Sequence, residues 1–573
     1  MVLPIVSFPE KITADDLVRE FEITYGKEPE KEQINAWKSS LDFLIHAGIT
    51  LPVIAELPIF GERADFVFVN DTKGLVVEMK GWRKVEVIND YLVRADGKKE
   101  INPCYQLENY VNKLNYFHSS GVKFEGVVVA YNAVEMPSLP CRVITDSEEL
   151  REEVEKFTPV KEERIREVIN GKLSITDSLV ELLRKNGKEM LNNASQVLLS
   201  RGYGLSEEQV KLVDDVLSAL ENGEEKTFLV RGESGSGKTL VALTLLFEGL
   251  KRKYRTILAY KNNRLLNTLR YVLHEVSGAI MFYSTGFGTG VAEPKFDQDI
   301  DLVIFDEAQR MKESNIEIAL RRGKVRVLFY DDSQILIGEE AGTRENFLKY
   351  AKNAVEYTLN SVYRENKNYL EWVRSLLWGQ PQKAKDIGIE IKVFDKIEDL
   401  LNTLKGKDDR ALICAFTETE GDKEGKDPKK NVRISPELDL YKGVDLLDII
   451  GKDRIEWLMD EKREYPAYWS NKRRDLTRCA SVYGAQGFEA EHVGVVWGRD
   501  LIWRGKWEIN PSVITDSVGG SKYGLKYIAK RSKELGLKLL KNRYYVMLTR
   551  GIKGIYLFVE DEKTKDFIKS LLQ

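Results

Sequence analysis

A short glycine-rich segment limits what this chain can fold into more than any other feature. An apolar strand pattern runs into Gly232-Glu-Ser-Gly-Ser-Gly-Lys238-Thr239, and an apolar helical pattern follows at once. Glycines such as Gly235 and Gly237 let backbone N–H groups face phosphate oxygens, and the helix N-terminus adds partial positive charge. We expect Lys238 to reach the terminal phosphates and Thr239 to bind Mg²⁺. The segment therefore predicts a P-loop that binds ATP with Mg²⁺.

A second apolar stretch, 302–305, ends in the two acids Asp306 and Glu307. A nucleotide-hydrolysing site needs carboxylates at the end of a strand beside the P-loop. Asp306 is expected to hold the metal through water, and Glu307 to polarise the attacking water. Two solvated acids capping a strand are the alternative, which the P-loop upstream disfavours.

Further motifs follow in an ordered set, and together they resemble those of superfamily 1 helicases. In chain order they are the glutamine motif 205–209 with Gln209, motif Ia at 260–264, motif III at 330–334 with Gln334, motif IV at 359–364 with Arg364, motif V at 482–489 with Gln486 and Glu489, and motif VI at 545–551 with Arg550. The residues of these motifs are most similar to those of bacterial and archaeal helicases related to the Schlafen proteins.

This resemblance implies a role for each of these residues. Gln209 would read adenine, Gln334 would link the terminal phosphate to strand movement, and Arg364 and Arg550 would be arginine fingers. Gln486 and Glu489 would complete the nucleotide site. Aromatic residues beside the motifs are candidates to stack on bases, although most large aromatics lie in cores. They are Tyr260, Tyr283, Phe287, Trp497, Trp503 and Trp507.

The N-terminal part carries a different constellation on a predicted hairpin. Apolar stretches 64–69 and 75–80 flank the polar turn 70–74. If position 70 pairs with 75, Asp65 lies opposite Lys80 and Val67 opposite Glu78. Asp65, Glu78 and Lys80 then share one face of the hairpin. A solvated charged face is the alternative, but the apolar neighbours favour burial.

The Asp…Glu-x-Lys pattern resembles the core of the PD-(D/E)xK nucleases, in the nuclease-related (NERD) form, over about residues 30–135. That resemblance implies Mg²⁺, or possible Mn²⁺, on Asp65 and Glu78, with Lys80 activating water. Gln106 and Tyr110 share one helical face and resemble a glutamine–tyrosine motif found in a subset of these nucleases. A further acid usually completes such a site. Glu32 and Glu56 are both candidates.

The predicted fold is therefore α/β, with a PD-(D/E)xK-type nuclease domain followed by two RecA-like P-loop motor domains. The expected boundaries are 1–145 for the nuclease-like domain, 146–204 for a helical connector, 205–345 for the first motor domain, and 346–573 for the second, with an insertion at about 418–475. Within the insertion, Asn471-Lys-Arg-Arg474 either contacts phosphate or is a solvated loop.

Composition excludes several other classes of protein. The four cysteines are widely spaced and no CxxC pair occurs, which argues against disulfides and zinc sites and suits a reducing, cytoplasmic location. The sequence has no run of eighteen apolar residues, which argues against a membrane span. Its first residues do not have the pattern of a secretory signal. The net charge of −4 neither favours nor excludes nucleic acid.

Three functional hypotheses follow. The first is an ATP-dependent nuclease–helicase that acts on nucleic acid, expected to be DNA with a single-stranded region, in defence against foreign DNA or in plasmid or repair metabolism. The second is a helicase whose N-terminal domain binds nucleic acid without cleaving it. The third is an NTP-driven switch that does not translocate. The sequence does not indicate DNA over RNA, the direction of movement or the oligomeric state.

Overall fold

The computed structural model describes residues 3–171, 173, 179–360, 367–385, 387–415, 446–452, 455–457 and 464–573. The chain divides into two compact units. Among the described residues, unit 1 holds 3–171, 173 and 193–212, and unit 2 holds 179–192, 213–360 and the described residues from 367 onward.

Unit 1 is built on a six-stranded mixed sheet in the order β1-β2-β3-β4-β8-β9. Its first four strands pair antiparallel, while β4, β8 and β9 run parallel. A smaller antiparallel sheet, β5-β6-β7, follows β4. The strands are β1 Ile5–Ser7, β2 Val53–Ile59, β3 Glu62–Val69, β4 Lys73–Lys80, β5 Val85–Val87, β6 Leu92–Ala95, β7 Lys98–Ile101, β8 Lys123–Ala130 and β9 Val143–Ile144.

Helices cover both faces of this sheet. Apolar residues of α1, α2 and α4 pack with alternate strand residues such as Phe66, Phe68 and Val77 in one core. The opposite face receives α3, which contacts β4 and β8. The helices are α1 Ala14–Tyr25, α2 Lys31–His46, α3 Pro103–Phe117, α4 Ser147–Glu155 and α5 Glu162–Asn170. Strand residues between the core positions, including Asp65 and Glu78, therefore face α3.

Unit 2 contains two six-stranded sheets, and every pair of neighbouring strands in each is parallel. The first has the order β12-β11-β13-β14-β10-β15 and the second the order β16-β23-β20-β17-β19-β18. Fully buried strands with helical crossovers are the usual setting of a parallel sheet. The predicted α/β class with parallel sheets is therefore confirmed for unit 2.

The strands of the first sheet are β10 Lys226–Gly232, β11 Thr256–Tyr260, β12 Ile280–Phe282, β13 Leu302–Phe305, β14 Val325–Tyr330 and β15 Val355–Leu359. Those of the second are β16 Glu390–Phe394, β17 Arg410–Cys414, β18 Glu456–Trp457, β19 Arg478–Ser481, β20 Ala490–Trp497 and β23 Gly551–Val559, while β21 Leu501–Trp503 and β22 Trp507–Ile509 form a hairpin.

The remaining helices are α6 Leu179–Ser200, α7 Glu207–Glu221, α8 Lys238–Lys251, α9 Asn263–Val272, α10 Glu313–Ala319, α11 Arg344–Tyr350, α12 Lys367–Leu377, α13 Ile397–Lys405, α14 Leu447–Ile450, α15 Glu464–Ser470, α16 Val482–Ala485, α17 Gly520–Tyr523, α18 Leu525–Arg531, α19 Lys533–Leu548 and α20 Glu562–Leu572. The expected helical character of residues 146–204 is present in α4, α5 and α6.

Two expected boundaries differ from the structure. The first motor sheet does not end at 345, because β15 at Val355–Leu359 pairs with β10. Residues 464–475 are not a separate insertion, because α15 buries Tyr465, Tyr468 and Trp469 and the Tyr468 hydroxyl hydrogen-bonds to Leu412 of β17. Most of the rest of the expected insertion lies outside the described residues.

The expectation that no disulfide forms is wrong. Cys104 at the start of α3 and Cys141 form a disulfide, with Cα atoms 5.4 Å apart. Their separation of 37 residues concealed the pairing, which depends on α3 lying against β8. Among the described residues, no helix combines the length and apolar character that a bilayer span requires.

Candidate functional site

The P-loop lies between the end of β10 at Gly232 and the start of α8 at Lys238. Gly235 and Gly237 both have a φ of 82°, which L side chains rarely adopt. Lys238 donates from Nζ to the carbonyls of Gly232 at 2.6 Å and Glu233 at 2.9 Å. The loop therefore curls around its own lysine, with the backbone conformation that a phosphate cradle needs.

The two predicted metal-binding side chains of the motor meet beside this loop. Thr239 donates from Oγ1 to Asp306 Oδ2 at 2.9 Å, and the Tyr260 hydroxyl donates to the same oxygen at 2.8 Å. Burial raises the pKa of Asp306 above its usual range. A hydroxyl and a carboxylate in contact, from α8 and the end of β13, form the pair of hard oxygen donors that Mg²⁺ prefers in nucleotide sites.

Glu307 lies next to this pair, and its backbone is in the left-handed region that residues other than glycine rarely adopt. It is buried and has a φ of 54°. Burial, and then the neighbouring Asp306 charge, raise the pKa of Glu307 to about 7. Gln309 donates from Nε2 to the Glu307 carboxylate. A strained backbone and a pKa near neutrality are common where a carboxylate acts on a proton.

Two arginines from the C-terminal lobe, the part of unit 2 built on the second sheet, reach the P-loop. Arg550, 3% exposed, donates from Nη2 to Ser234 Oγ at 2.7 Å. Arg374 of α12 lies 2.6 Å from Glu233 Oε1. Arg374 was not predicted, since nothing in the sequence of an amphipathic helix singles it out. Arg364, the other predicted finger, lies outside the described residues.

The predicted glutamines of motifs III and V are in contact. Gln486 donates from Nε2 to the Gln334 carbonyl at 3.1 Å, and Gln334 donates from Nε2 to Asp331 Oδ2 at 2.8 Å. Within the described part of the chain, Oε1 of each glutamine is buried without a hydrogen-bond partner. Buried amide oxygens usually have partners, so these two are available to a bound group.

The contact continues along the segment after motif III. Asn542 donates from Nδ2 to the Ile335 carbonyl at 2.8 Å, and Arg543 donates from Nη2 to the Leu336 carbonyl at 3.3 Å. Three side chains of the C-terminal lobe therefore bind three successive carbonyls of the first lobe, which is the part of unit 2 built on the first sheet. We call Gln486, Asn542 and Arg543 the carbonyl clamp. Asn542 and Arg543 were not predicted, because they precede motif VI and match no motif residue.

The clamp is braced by a buried ion pair. Arg543 donates from Nη1 to Asp516 at 2.7 Å and from Nη2 to the Tyr483 hydroxyl at 2.6 Å, while Tyr483 donates to Asp516 at 2.9 Å. All three side chains are buried. Such networks fix one arrangement of the surrounding chain more than they stabilise it.

Several predicted residues have structural contacts that neither support nor exclude their roles. Gln209 accepts from the Ser206 N–H at 2.9 Å at the start of α7, and Glu489 is half-buried at the start of β20. Tyr260, Tyr283 and Trp497 are fully buried core residues, whereas Phe287 is 80% exposed. The adenine-reading and nucleotide-site roles of Gln209 and Glu489 stay predictions.

Within the basic segment 471–474, Arg474 is a buried structural residue and not a free phosphate contact. Arg474 is 2% exposed and is ion-paired with Asp409 at 2.5 Å, and Arg473 lies 2.7 Å from Asp408. These contacts join the segment to the start of β17.

In unit 1, the predicted hairpin is present with a different register. Phe68 pairs with Leu75 and Val67 with Val76, not with Glu78. The turn is shorter than expected because Asn70 closes it, accepting at Oδ1 from the N–H groups of Thr72 and Lys73. The shift is two residues. It therefore leaves every side chain on its predicted face.

The shared face brings the predicted residues together. Asp65 Oδ2 accepts from the Met79 N–H at 2.7 Å. Lys80 Nζ lies 2.9 Å from Glu78 Oε1 and donates to Gln106 Oε1 at 2.9 Å. Gln106 in turn donates to the Tyr110 hydroxyl at 2.9 Å. The lysine is thus fixed between an acid of β4 and an amide of α3.

The electrostatics of this group are unusual for a structural hairpin. Burial, then the charge of Asp65, raise the pKa of Glu78 to about 8. Burial also raises the pKa of Asp65. Burial lowers the pKa of Lys80, but the charges of Glu78 and Asp65 hold this pKa above its usual range. Buried carboxylates that resist ionisation beside a fixed ammonium cost stability.

Of the two candidates for the further acid, the geometry favours Glu56. It is 3% exposed, has a φ of 59°, accepts from Trp37 Nε1 at 2.8 Å and lies 2.9 Å from Arg63. Burial is the main cause that raises its pKa to about 7, and the charge of Asp65 contributes. Glu32 is exposed and lies 3.5 Å from Lys98. Glu56 lies on β2, whereas Glu32 lies on α2.

The donor set of unit 1 suits a cation that keeps part of its hydration shell. Within the described ranges, no group of three or more His, Cys, Asp or Glu side chains converges as a ready metal site. Glu78 Oε2, however, is buried without a hydrogen-bond partner. Mg²⁺ commonly binds through one or two carboxylates, waters and substrate phosphates. Asp65 and Glu78 fit that requirement.

Comparison with known proteins gives a family for unit 2. The model described as "Schlafen group 3, DNA/RNA helicase domain" matches residues 225–561, more than half of the chain. An uncharacterized protein of Saccharomyces cerevisiae is 23% identical over 428 residues, which are 63% of this chain and 90% of that protein.

Solved structures with partial similarity include two helicases. Arterivirus nonstructural protein 10, solved with DNA, is 11% identical, with 61% of this chain and 65% of that chain covered and a TM-score of 0.28. The chain thus spans less than two thirds of that viral protein. Pif1 helicase from Candida albicans is 13% identical, with 64% of this chain and 99% of that chain covered and a TM-score of 0.26.

Proposed function

The chain belongs to the Schlafen group 3 helicase-domain family, and from that premise we propose that it is an ATP-driven motor that moves on nucleic acid and unwinds it. The observation that carries this proposal is the convergence of Lys238, Thr239, Asp306, Glu307 and Arg550 around one P-loop. Residues from both sheets of unit 2 meet there, as required when hydrolysis must move two lobes.

Each residue has a definable task in the hydrolysis of ATP. Lys238 and the loop N–H groups bind phosphate oxygens, and Thr239 and Asp306 hold Mg²⁺. The bound ion neutralises phosphate charge. Glu307 orients the attacking water and accepts its proton, a task suited to a pKa near 7. Arg550 stabilises the charge that develops on the departing phosphate.

Unwinding of a tailed duplex by the full chain tests the motor. Wild type is expected to separate the strands only with ATP and Mg²⁺, and Lys238→Ala is expected to be inactive while still binding the single strand. ATP-independent separation, or equal activity in Lys238→Ala, would overturn the proposal. ATP hydrolysis that no nucleic acid stimulates would instead favour the NTP-driven switch.

We further propose that unit 1 is a metal-dependent nuclease of the PD-(D/E)xK type, of the nuclease-related form. This rests on the buried Glu78 oxygen beside Asp65 and the fixed Lys80. Asp65 and Glu78 would hold Mg²⁺ or Mn²⁺, which supplies a Lewis acid at the scissile phosphate. Lys80, oriented by Gln106, positions the attacking water, and Glu56 adds negative charge to the site.

Cleavage of DNA and RNA substrates with Mg²⁺ or Mn²⁺ tests the nuclease. Wild type is expected to cut, and Lys80→Ala is expected to lose cleavage while keeping full ATPase activity. Cleavage that persists in Lys80→Ala would contradict the assignment. Binding without cleavage in wild type, under both metals, would favour a non-cleaving N-terminal domain. DNA with a single-stranded region, and a role in defence or in plasmid or repair metabolism, remain parts of the proposal.

A further inference from the structure

A basic surface lies on unit 2 between motifs V and VI, outside every helicase motif. The short helices α17 and α18 and the first half of α19 carry six basic side chains, with Glu534 as the one acid among them. We call this surface the basic platform and define it by Lys522, Lys526, Lys530, Arg531, Lys533 and Lys538. The chain as a whole carries a net charge of −4, so the sign of this surface is local.

Within the part of the chain that the structure describes, the basic side chains of the platform lack acidic partners. None of the six forms an ion pair with a carboxylate among the described residues, although such pairs are frequent elsewhere in the chain. Arg531 donates only to the carbonyls of Ser521 and Lys522. Five of the six are exposed and Lys526 is half-buried. Unpaired like charges repel one another, so a surface of this kind costs stability unless an anion binds it.

Aromatic rings are interleaved with the charges. Lys522 Nζ lies 4.9 Å from the centre of the Tyr523 ring, and Lys526 Nζ lies 5.9 Å from that of Tyr527. Tyr527 is 36% exposed. Rings among unpaired lysines suit a strand that offers both phosphates and base faces.

The buried side of the same helices touches the ATP-site machinery. Ile528 of α18 fills the space above Gly338, where an added Cβ would come within 2.4 Å of Ile528 Cδ1. The helix α19 packs against the turn Asp332–Gln334 and carries Asn542 and Arg543 of the carbonyl clamp. A ligand bound to the platform would therefore contact α18 and α19, the helices that hold the segment after motif III.

From these observations we propose that the basic platform is a nucleic-acid-binding surface that contacts the phosphates of a strand and communicates its presence to motif III. The inference rests on the proposed motor function and adds to it a named surface. The occupant is a nucleic-acid strand, because repeated phosphates match several cations without acidic partners on consecutive helices, and stacked bases match the tyrosines.

Binding of a fluorescent single-stranded oligonucleotide to the full chain, measured over a range of salt concentrations, tests the proposal. The variant combines Lys526→Ala, Lys530→Ala, Lys533→Ala and Lys538→Ala. The matched control combines Lys352→Ala, Lys383→Ala, Lys396→Ala and Lys563→Ala, which removes four exposed lysines that also lack an ion pair within the described residues. Both variants change the net charge equally.

The platform variant is expected to bind on the order of 10- to 100-fold more weakly, with a slope of log K against log salt about three units shallower. The control is expected to match wild type within about twofold, because distant charges are screened. Equal affinity and slope in wild type and platform variant would overturn the proposal while leaving the motor proposal intact.

The remaining outcomes are also decisive. If wild type binds no oligonucleotide, both this inference and the proposed motor function fail. If poly-glutamate binds wild type but not the platform variant, while oligonucleotide binding is unchanged, the surface serves an acidic protein and the proposal is wrong. Strand stimulation of ATP hydrolysis is expected to fall in the platform variant even at saturating oligonucleotide, since the platform acts on motif III.

Discussion

Arg550 of motif VI donates from Nη2 to Ser234 of the P-loop at 2.7 Å, so a guanidinium of the C-terminal lobe contacts the P-loop. The rest of the guanidinium is held by its own lobe, through Nε to the Val546 carbonyl at 2.9 Å and Nη1 to the Phe488 carbonyl at 3.3 Å. Because one end is anchored in the C-terminal lobe and the other reaches the P-loop, a movement of one lobe relative to the other would separate Arg550 from the P-loop.

The first prediction concerns this contact. Arg550→Ala is expected to lower kcat for ATP hydrolysis on the order of 10²- to 10³-fold, because the developing phosphate charge loses a fixed donor. The KM for ATP should change much less. Arg550→Lys should recover little, since an ammonium lacks the planar fork. Steady-state ATPase kinetics measure both variants, and a KM effect with unchanged kcat would contradict the role.

The second prediction concerns the carbonyl clamp. Asn542→Leu removes the donor to the Ile335 carbonyl and should reduce strand stimulation of ATP hydrolysis about 2- to 30-fold, while basal hydrolysis stays within about twofold. Asn346→Leu is the matched control, because Asn346 Nδ2 donates to the Ala341 carbonyl at 2.7 Å within the first lobe. Equal stimulation in Asn542→Leu and wild type would show that the clamp does not couple the lobes.

The third prediction concerns pH. Glu78 has a pKa of about 8 in the fold against an ordinary value of 4.5, so the unfolded chain releases this proton first as pH rises. Stability from this group is therefore complete below about pH 4.5 and is lost progressively up to about pH 8. In EDTA, Glu78→Gln should raise the melting temperature at pH 8 and have little effect near pH 5.

Bound metal should reverse this loss of stability with rising pH in wild type but not in Glu78→Gln. Mn²⁺ binds the ionised carboxylates, so it should raise the melting temperature of wild type more at pH 8 than at pH 6 and leave Glu78→Gln unchanged. Glu125→Gln is the control, because Glu125 is exposed on β8 and lies 3.4 Å from Lys73. A Mn²⁺ effect that is the same in Glu78→Gln and wild type would argue against a metal on Glu78.

The features that could be predicted from the sequence are those whose geometry is fixed by residues close together in the chain. The P-loop, the Thr239–Asp306 pair and the shared face of Asp65, Glu78 and Lys80 follow from local spacing and from the period of a strand. The hairpin register failed by two residues because it depends on turn closure by Asn70, which the strand pattern does not contain.

The parts that the sequence did not predict are contacts between residues that are distant along the chain. Asn542 contacts Ile335 across 207 residues, Arg374 contacts Glu233 from another lobe, and Cys104 is bonded to Cys141 across 37 residues. None of these residues carries a local pattern. The clamp exists because α19 packs against the segment after motif III, a contact that no local sequence pattern contains.

Strand-stimulated ATP hydrolysis separates a motor on nucleic acid from every other ATPase. Single-stranded nucleic acid is expected to raise the steady-state rate of ATP hydrolysis by wild type at least about tenfold, and neither Lys238→Ala nor Glu307→Gln should hydrolyse ATP with or without the strand. A wild-type rate that no DNA or RNA strand changes, or undiminished hydrolysis by Lys238→Ala, would contradict a motor that moves on nucleic acid.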